Sequence, residues 1–394
     1  VKVRGSDVIV FRLGAHHLTK RQAARELGKV VGACGIQNSP PGAALLAMHA
    51  RADGVTSETV DKAVADDKEL VQSWCMRGAP FFFPRADAGV FTAGVLPTTE
   101  AGRLHMIGGV EQGLAVLGMG LDEAVGYCGD EIGEVLSGRR LAINELGAEL
   151  AGRIAPRLTA VQRKDWKAAG PYGRGLALGE AVVHFCLRIL TLEGLVCFAP
   201  REGNKAPFVL VEEWLGESLG ELAFGAARAE LLRRYLHCYG PSSPKDFAAW
   251  LGVAVSDVDP WWKPLAGEMT EVGFDGRKGW LLTEDLEAMR SPEEVRGVRL
   301  LPPRDPYTQL RDRETIVDKK FHGEMWKTVG EPGAVLVDGK IVGIWRPRKS
   351  GKKLSLTVTA FGAAGKFRSR LGAEAEQVAI LRGASSVELT VESG

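Results

Sequence analysis

Apolar positions recur three and four residues apart through the first part of the chain, which predicts a run of amphipathic helices. Val8, Ile9, Phe11 and Leu13 form a first apolar face, with Ser6-Asp7 placed to cap a helix reaching to about residue 17. Thr19 is placed to cap a second helix, with Ala23, Leu27 and Val30-Val31 at helical spacing. The pattern breaks at Cys34-Gly35-Ile36-Gln37-Asn38-Ser39-Pro40-Pro41-Gly42 and resumes over Ala43–Arg51, where Leu45, Leu46 and Met48 are available for a core. Thr56 heads a further helix, with Glu58 in the first turn where the helix dipole favours negative charge. The spacing carries that helix to about Trp74. An aromatic extended run bracketed by prolines, Pro80-Phe81-Phe82-Phe83-Pro84, follows. Helix, turn, helix and short strand pair is the order of a winged helix.

The order recurs twice. Asn144 is placed to cap a helix to about Ile154, and Leu178–Leu192 reads as a long helix. Leu195-Val196-Cys197-Phe198 and Phe208-Val209-Leu210-Val211, joined by the polar loop Arg201-Glu202-Gly203-Asn204-Lys205, predict a hairpin. In a third instance, a helix over 231–239 ends at Gly240-Pro241, and Ser243-Pro244 sets a cap followed by proline at the first helical position. The runs 269–272 and 280–282 then flank a turn at Asp275-Gly276. Beyond Val298 the pattern becomes β. Val335-Leu336-Val337 and Ile341-Val342-Gly343-Ile344-Trp345 are joined by Asp338-Gly339-Lys340, with further strands at 354–358 and 387–391. The predicted fold is α+β, mainly α: three tandem winged-helix units over 1–118, 119–222 and 223–297, then a C-terminal β-sheet or barrel-like domain over 298–394.

Composition changes little in this picture. At 394 residues the chain exceeds what one core serves. Hydrophobic residues at 45% and charged residues at 25% are ordinary for a folded chain. Lys plus Arg (50) nearly cancels Asp plus Glu (49), so any nucleic-acid face has to be a local basic patch. Six scattered cysteines, with no Cys-x-x-Cys and no histidine at ligand spacing, predict no zinc site; Cys34, Cys75, Cys186 and Cys197 sit among apolar neighbours, as small buried thiols do, which predicts a reduced, cytoplasmic protein. No apolar run reaches the roughly 20 residues that a membrane span needs.

Three groups of residues carry candidate chemistry. The 35–42 corner sets the Gln37 amide, Asn38 and the Ser39 hydroxyl at a rigid break between helices, where they can hold a ligand or water, or simply bond orphan helix carbonyls and cap the next helix. His49, on the helix beyond, either faces this corner or packs. His16-His17 reads as a helix end. The second group is Lys340, Arg346, Arg348, Lys349, Lys352 and Lys353, around Trp345, with Lys366, Arg368 and Arg370 following; it suits a phosphate backbone, or it is a solvated hairpin edge. The third is Arg77, which contacts either a phosphate or base edge or an internal carboxylate such as Asp87. Gly108-Gly109 lacks the strand and remaining spacing of a dinucleotide site.

The segments Gly35-Ile36-Gln37, Trp74-Cys75-Met76-Arg77-Gly78, Tyr239-Gly240-Pro241, Trp250-Leu251-Gly252, Asp305-Pro306-Tyr307, Val337-Asp338-Gly339 and Gly343-Ile344-Trp345, in this order, resemble the winged-helix family of AlkZ/YcaQ-type alkylpurine DNA glycosylases. The likeness spans roughly 7–361. It implies a basic DNA-binding face, double-stranded, damaged DNA as partner, a monomer near the nucleoid, no cofactor and no metal. It further implies excision of N-alkylated or bulky cationic purine adducts, with interstrand crosslinks in range. The family's active site has Gln, an aliphatic residue, then a second Gln or an Asp. By resemblance Gln37 takes the first position, Asn38 stands in the aliphatic one, and Ser39 replaces the last. The sequence thus describes a divergent branch, either a glycosylase with Gln37 and Ser39 as catalytic residues or a non-catalytic DNA-binding protein.

Overall fold

In the computed structural model, helices and strands form where short-range sequence signals agree, and shift where distant segments compete. Residues 1–172, 175–219, 223–291, 293–362 and 367–393 are described. Contacts divide the chain into two units, one of 1–60, 232–250 and 265–394, the other of 61–231 and 251–264. The fold is α+β.

In the first unit the opening helix is Gly5–Ala15. It begins one residue before the predicted cap: Asp7 lies inside the first turn, where Arg4 donates to both its oxygens at 2.9 and 2.8 Å. Thr19 does not start a helix. The Gln22 backbone is extended and bonded to the segment after Ala43–Arg51, with Gln22 N to Arg51 O at 2.7 Å and Asp53 N to Gln22 O at 2.9 Å. Regular helix therefore waits until Leu27–Gly32. Ser243 accepts the Asp246 amide at 3.1 Å and caps Pro244–Leu251, and Met269–Phe274 pairs with Arg277–Leu282 around Asp275-Gly276. Val8 and Phe11 of the opening helix pack on that hairpin with Val272, Phe274, Leu281 and Met289.

The C-terminal strands of this unit form an open five-stranded sheet rather than a closed barrel, in the order Ser386–Ser393, Lys353–Ala360, Lys340–Ser350, Gly333–Val337, Val298–Leu301. The Ser386–Ser393 strand is parallel to its neighbour, reached through the helix Gly372–Leu381. Strand alternation gives the sheet two apolar faces. Trp345, Leu354, Leu356 and Val358 meet Leu371, Ala375 and Val378 on one face, while Ile344, Leu336 and Leu301 meet Leu13, Tyr307 and Met325 on the other. The helix Ala43–Arg51 contributes Leu46 to the first cluster and Ala50 to the second, and so docks at the Val298–Leu301 edge.

The helix Ser57–Ala65, of which residues 61–65 open the second unit, stops well short of Trp74. Lys68 adopts a left-handed φ of 56°, and Asp67 N and Glu69 N fold back onto Lys62 O and Ala63 O at 3.0 and 2.8 Å. Leu70–Trp74 is then free to pair with Pro80–Pro84. It also pairs, at Gln72 and Phe198, with the hairpin Val196–Phe198/Phe208–Leu210, so two of the predicted wings form one antiparallel sheet. Trp74 seals the junction, with ring centroids 5.4 Å from Phe198 and 5.2 Å from Phe208. The helices Leu121–Leu136, Ile143–Ile154 and Leu178–Leu192 pack on one another, and Cys128, Ile132, Leu146, Leu150, Val182 and Cys186 are among the residues they bury. Asn144 is not the cap of Ile143–Ile154; Glu145 reaches back instead, its carboxylate accepting the Ala142 amide at 3.1 Å.

Candidate functional site

The 35–42 corner is built by backbone that only some residues tolerate. Gly35 and Gly42 both occupy the left-handed region, with φ of 72° and 87°, where a Cβ is strained. Between them Ile36–Gln37 is a two-residue strand, buried at both positions. Asn38 turns its side chain onto the following helix: its Oδ1 accepts the amides of Gly42 at 2.9 Å and Ala44 at 3.4 Å, satisfying donors that the helix cannot use internally. Gln37 is 3% exposed and engaged by neighbouring groups. Ser39 is half-buried, and among the described residues its hydroxyl has no hydrogen-bond partner. The three polar residues thus divide: Asn38 is spent on architecture, Gln37 is desolvated, and the Ser39 hydroxyl is available.

His49 is buried and held by charge. Arg21 donates to its backbone carbonyl at 2.9 Å and to both oxygens of Glu374 at 2.8 Å, with the His49 ring 3.3 Å from the guanidinium. Burial lowers the His49 pKa, Glu374 opposes that shift, and Arg21 and Arg299 add to it. The far end of the same helix is fixed by Arg51, which donates to Asp305 Oδ2 and Oδ1 at 2.8 and 2.7 Å and to Ala47 O at 2.9 Å. Both side chains of this pair are shut off from solvent. Asp305 in turn accepts the Tyr307 amide at 2.9 Å, tying the corner helix to the Asp305-Pro306-Tyr307 segment.

Sequence spacing hides a second group beside the corner. His16, Cys34 and Cys238 are all buried, and one potential ligand atom from each lies within 4.8 Å of the others. Cys34 Sγ is 3.9 Å from His16 Nδ1 and 3.8 Å from the Tyr239 hydroxyl, which donates to Pro306 O at 2.8 Å. A hydrogen bond from Cys238 holds the Cys34 thiol well below its ordinary range against the opposing effect of burial, with His16 adding to the lowering. His17, beside it, is lowered to about 4 by burial first and by the nearby Lys29 and Arg51. The three residues stand 18 and 204 positions apart, so no spacing rule could have joined them; only Cys34 carried a signal of burial, in its apolar sequence neighbours.

The basic run of the C-terminal sheet is spread along both faces and the tip of its hairpin. Arg346 and Arg348 share one face of their strand, and Lys349 lies on the opposite face, donating to Arg382 O at 2.7 Å. Lys352 and Lys353 sit at the hairpin tip, where Lys353 pairs with Glu388 at 2.8 Å. Lys340 begins the strand, roughly 30 Å from Ser350 at about 3.3 Å per residue. Arg346 donates to Gly330 O at 2.8 Å. Arg370 is paired with Asp338 at 2.6 Å and holds its carboxyl down at about 2, and Lys366 lies outside the described residues. In the second unit Arg77 is half-buried with φ of 58°, its guanidinium 5.7 Å from the Phe81 ring centre. Gly252 packs so closely on it that an added Cβ would lie 2.9 Å from Arg77 Cγ. No described helix is long and apolar enough to cross a membrane.

Known proteins share this architecture over nearly its whole length. The chain is 25% identical over 354 residues, 88% of each chain, to an interstrand DNA cross-link repair glycosylase from Streptomyces sahachiroi. The solved structure of the Streptomyces sahachiroi DNA glycosylase AlkZ superimposes with a TM-score of 0.77 at 23% identity, covering 99% of this chain and all of that one. Residues 30–380 match the model of the DNA glycosylase AlkZ-like family, and the chain belongs to that family of enzymes, which hydrolyse N-glycosyl bonds in DNA.

Proposed function

We propose that this protein excises N-alkylated or bulky cationic purine adducts from duplex DNA, including adducts that crosslink the strands, with the 35–42 corner as its active site. Alkylation at N7 or N3 makes the purine cationic and a good leaving group. The enzyme then needs chiefly to place a water and to stabilise the oxocarbenium charge that develops on the sugar. In the proposed step the water oxygen bonds to C1′, the N-glycosidic bond breaks with its electron pair going to the purine, and the water proton passes to solvent. The Gln37 carboxamide oxygen accepts from this water, and the Ser39 hydroxyl gives it a second contact.

The observation that carries the reading is the contrast inside the corner: Gln37 is buried and fixed, while next to it the half-buried Ser39 hydroxyl has no partner among the described residues. Asn38 fits beside them as the residue that rigidifies the turn. A hydroxyl reaches less far than an amide or carboxylate, so hydrolysis is slower here than with a second Gln or an Asp in that place. With no carboxylate in the motif, the rate varies little with pH near neutrality. A second reading, a DNA-binding protein without catalysis, is favoured by the same Asn38 cap, which gives the corner a purely architectural reason to exist. The deciding measurement incubates the protein with duplex DNA carrying N7-methylguanine and scores alkali-labile sites. Release by the wild type that Gln37→Ala abolishes is expected. No release by the wild type, or equal release by Gln37→Ala, removes Gln37 from catalysis, and salt-sensitive binding without release establishes the second reading.

A further inference from the structure

We propose that His16, Cys34 and Cys238 form a buried site for one thiophilic divalent cation, zinc by the chemistry of its ligands, which fastens the active-site corner to the opening helix and to the helix ending at Tyr239. The claim is separate from the proposed reaction, because the ion takes no part in it.

The donor set is two thiols and an imidazole, the ligands that soft and borderline divalent cations prefer. With Zn–S near 2.3 Å and Zn–N near 2.0 Å, tetrahedral ligand atoms stand roughly 3.5–3.8 Å apart. Here Cys34 Sγ and His16 Nδ1 are 3.9 Å apart, and all three donors lie within 4.8 Å. Closing on an ion asks for shifts below about 1 Å. The Tyr239 oxygen, 3.8 Å from Cys34 Sγ with its proton turned to Pro306 O, stands at a distance suited to a fourth ligand.

His16 is 1% exposed, and the nitrogen that faces the sulfurs, Nδ1, has only the distant Cys34 sulfur as a partner among the described residues. A buried imidazole nitrogen this weakly bonded gains a full partner when an ion binds there. Its ring is already held edge-on to Tyr239 and Tyr307, with centroids 4.9 and 5.6 Å away. Charge balances as well. When the ion binds, each thiol gives its proton to solvent, and a dication with two thiolates leaves the apolar interior neutral. The three ligands come from the end of the opening helix, the turn after Leu27–Gly32 and the helix ending at Tyr239. Cys34 is three residues before Gln37, so an ion here would fix the strand on which that amide sits.

Cobalt(II) is the probe, titrated into the reduced, metal-stripped full chain. One equivalent is expected to bind with sulfur-to-cobalt charge-transfer absorption and the visible bands of a tetrahedral ion. Cys34→Ser and Cys238→Ser should each weaken binding by more than the roughly 10–100-fold that loss of an outer-shell partner brings. Cys75→Ser, which alters a buried thiol of the other unit, should leave the titration unchanged. Zinc X-ray absorption on the wild type needs no variant to fold, and should show two sulfur neighbours and at least one imidazole nitrogen. Absence of a cobalt–thiolate band, a zinc shell of oxygen and nitrogen alone, or a band untouched by both cysteine variants overturns the proposal. A Cys34–Cys238 disulfide that forms in air while the reduced chain takes up no metal overturns it too, and makes the pair a redox one.

Discussion

Asp305→Ala tests the most buried electrostatic contact in the corner. The substitution removes the carboxylate that accepts two hydrogen bonds from Arg51 and one from the Tyr307 amide. Arg51 stays sealed from solvent, with only Ala47 O left to it from this set. Removing one partner of a buried pair costs about 3–5 kcal/mol, because the other charge is left uncompensated. The orphaned Tyr307 amide adds about 1 kcal/mol. Set against a typical domain stability of about 5–15 kcal/mol, this is a large fraction. Urea unfolding, with hydrogen exchange followed in peptides covering 43–51 and 305–310, should show the first unit unfolding at much lower denaturant, with protection in both segments falling together. Arg51→Met should do the same. The double variant Arg51→Met/Asp305→Leu should recover most of the loss, since apolar residues of similar size replace a buried pair at little cost. Single variants that lose less than about 1 kcal/mol, or a double variant as unstable as the sum of the singles, would refute the claim that the pair is desolvated and coupled.

Three further outcomes follow from the geometry. Asn38→Ala should lower stability by about 1 kcal/mol, the usual loss for a helix cap, measured by urea unfolding, while Asn38→Asp, which keeps the acceptor, should not. The His237 pKa is raised, chiefly by its hydrogen bond to Asp285 at 3.0 Å, with burial opposing. Because the folded value lies above the unfolded one near 6.5, the resulting stability is fully present below about pH 6.5 and is lost as pH rises through the folded value. An NMR titration of His237 should show a midpoint above 6.5, and Asp285→Asn should abolish the pH-dependent part of stability that follows it. Arg348 lies on an exposed strand end with no protein partner among the described residues, so Arg348→Ala should weaken duplex binding and reduce the slope of log affinity against log salt by about 1, read by anisotropy at several salt concentrations. Lys353→Ala, which removes a lysine paired with Glu388, should change the slope less.

Part of this protein was decided by short stretches of its sequence. The Asp275-Gly276 and Asp338-Gly339 turns, the Ser243-Pro244 cap and the helix Leu178–Leu192 form as read, because turn sterics, capping and helical periodicity act within a few neighbouring residues. Gly35 and Gly42 likewise announced a break in the chain, since each sits where a side chain is strained. Two of the misread boundaries share one cause. Helical spacing over 19–23 and 66–74 was overridden by pairing with distant backbone, at Arg51 and Asp53 in one case and along Pro80–Pro84 in the other. The candidate site divides the same way. That Gln37, Asn38 and Ser39 occupy a rigid corner was legible in the sequence, but which of the three is committed to architecture was not, because the Gly42 and Ala44 amides reach Asn38 only once the turn closes. An even row of basic residues was legible too, yet strand alternation and the partners Gly330, Arg382 and Glu388 separate its members. The Arg51–Asp305 pair and the His16–Cys34–Cys238 group belong to the tertiary structure alone. Their members are distant in the chain and each is ordinary by itself, and only burial, by removing water as the competing partner, turns their proximity into an interaction.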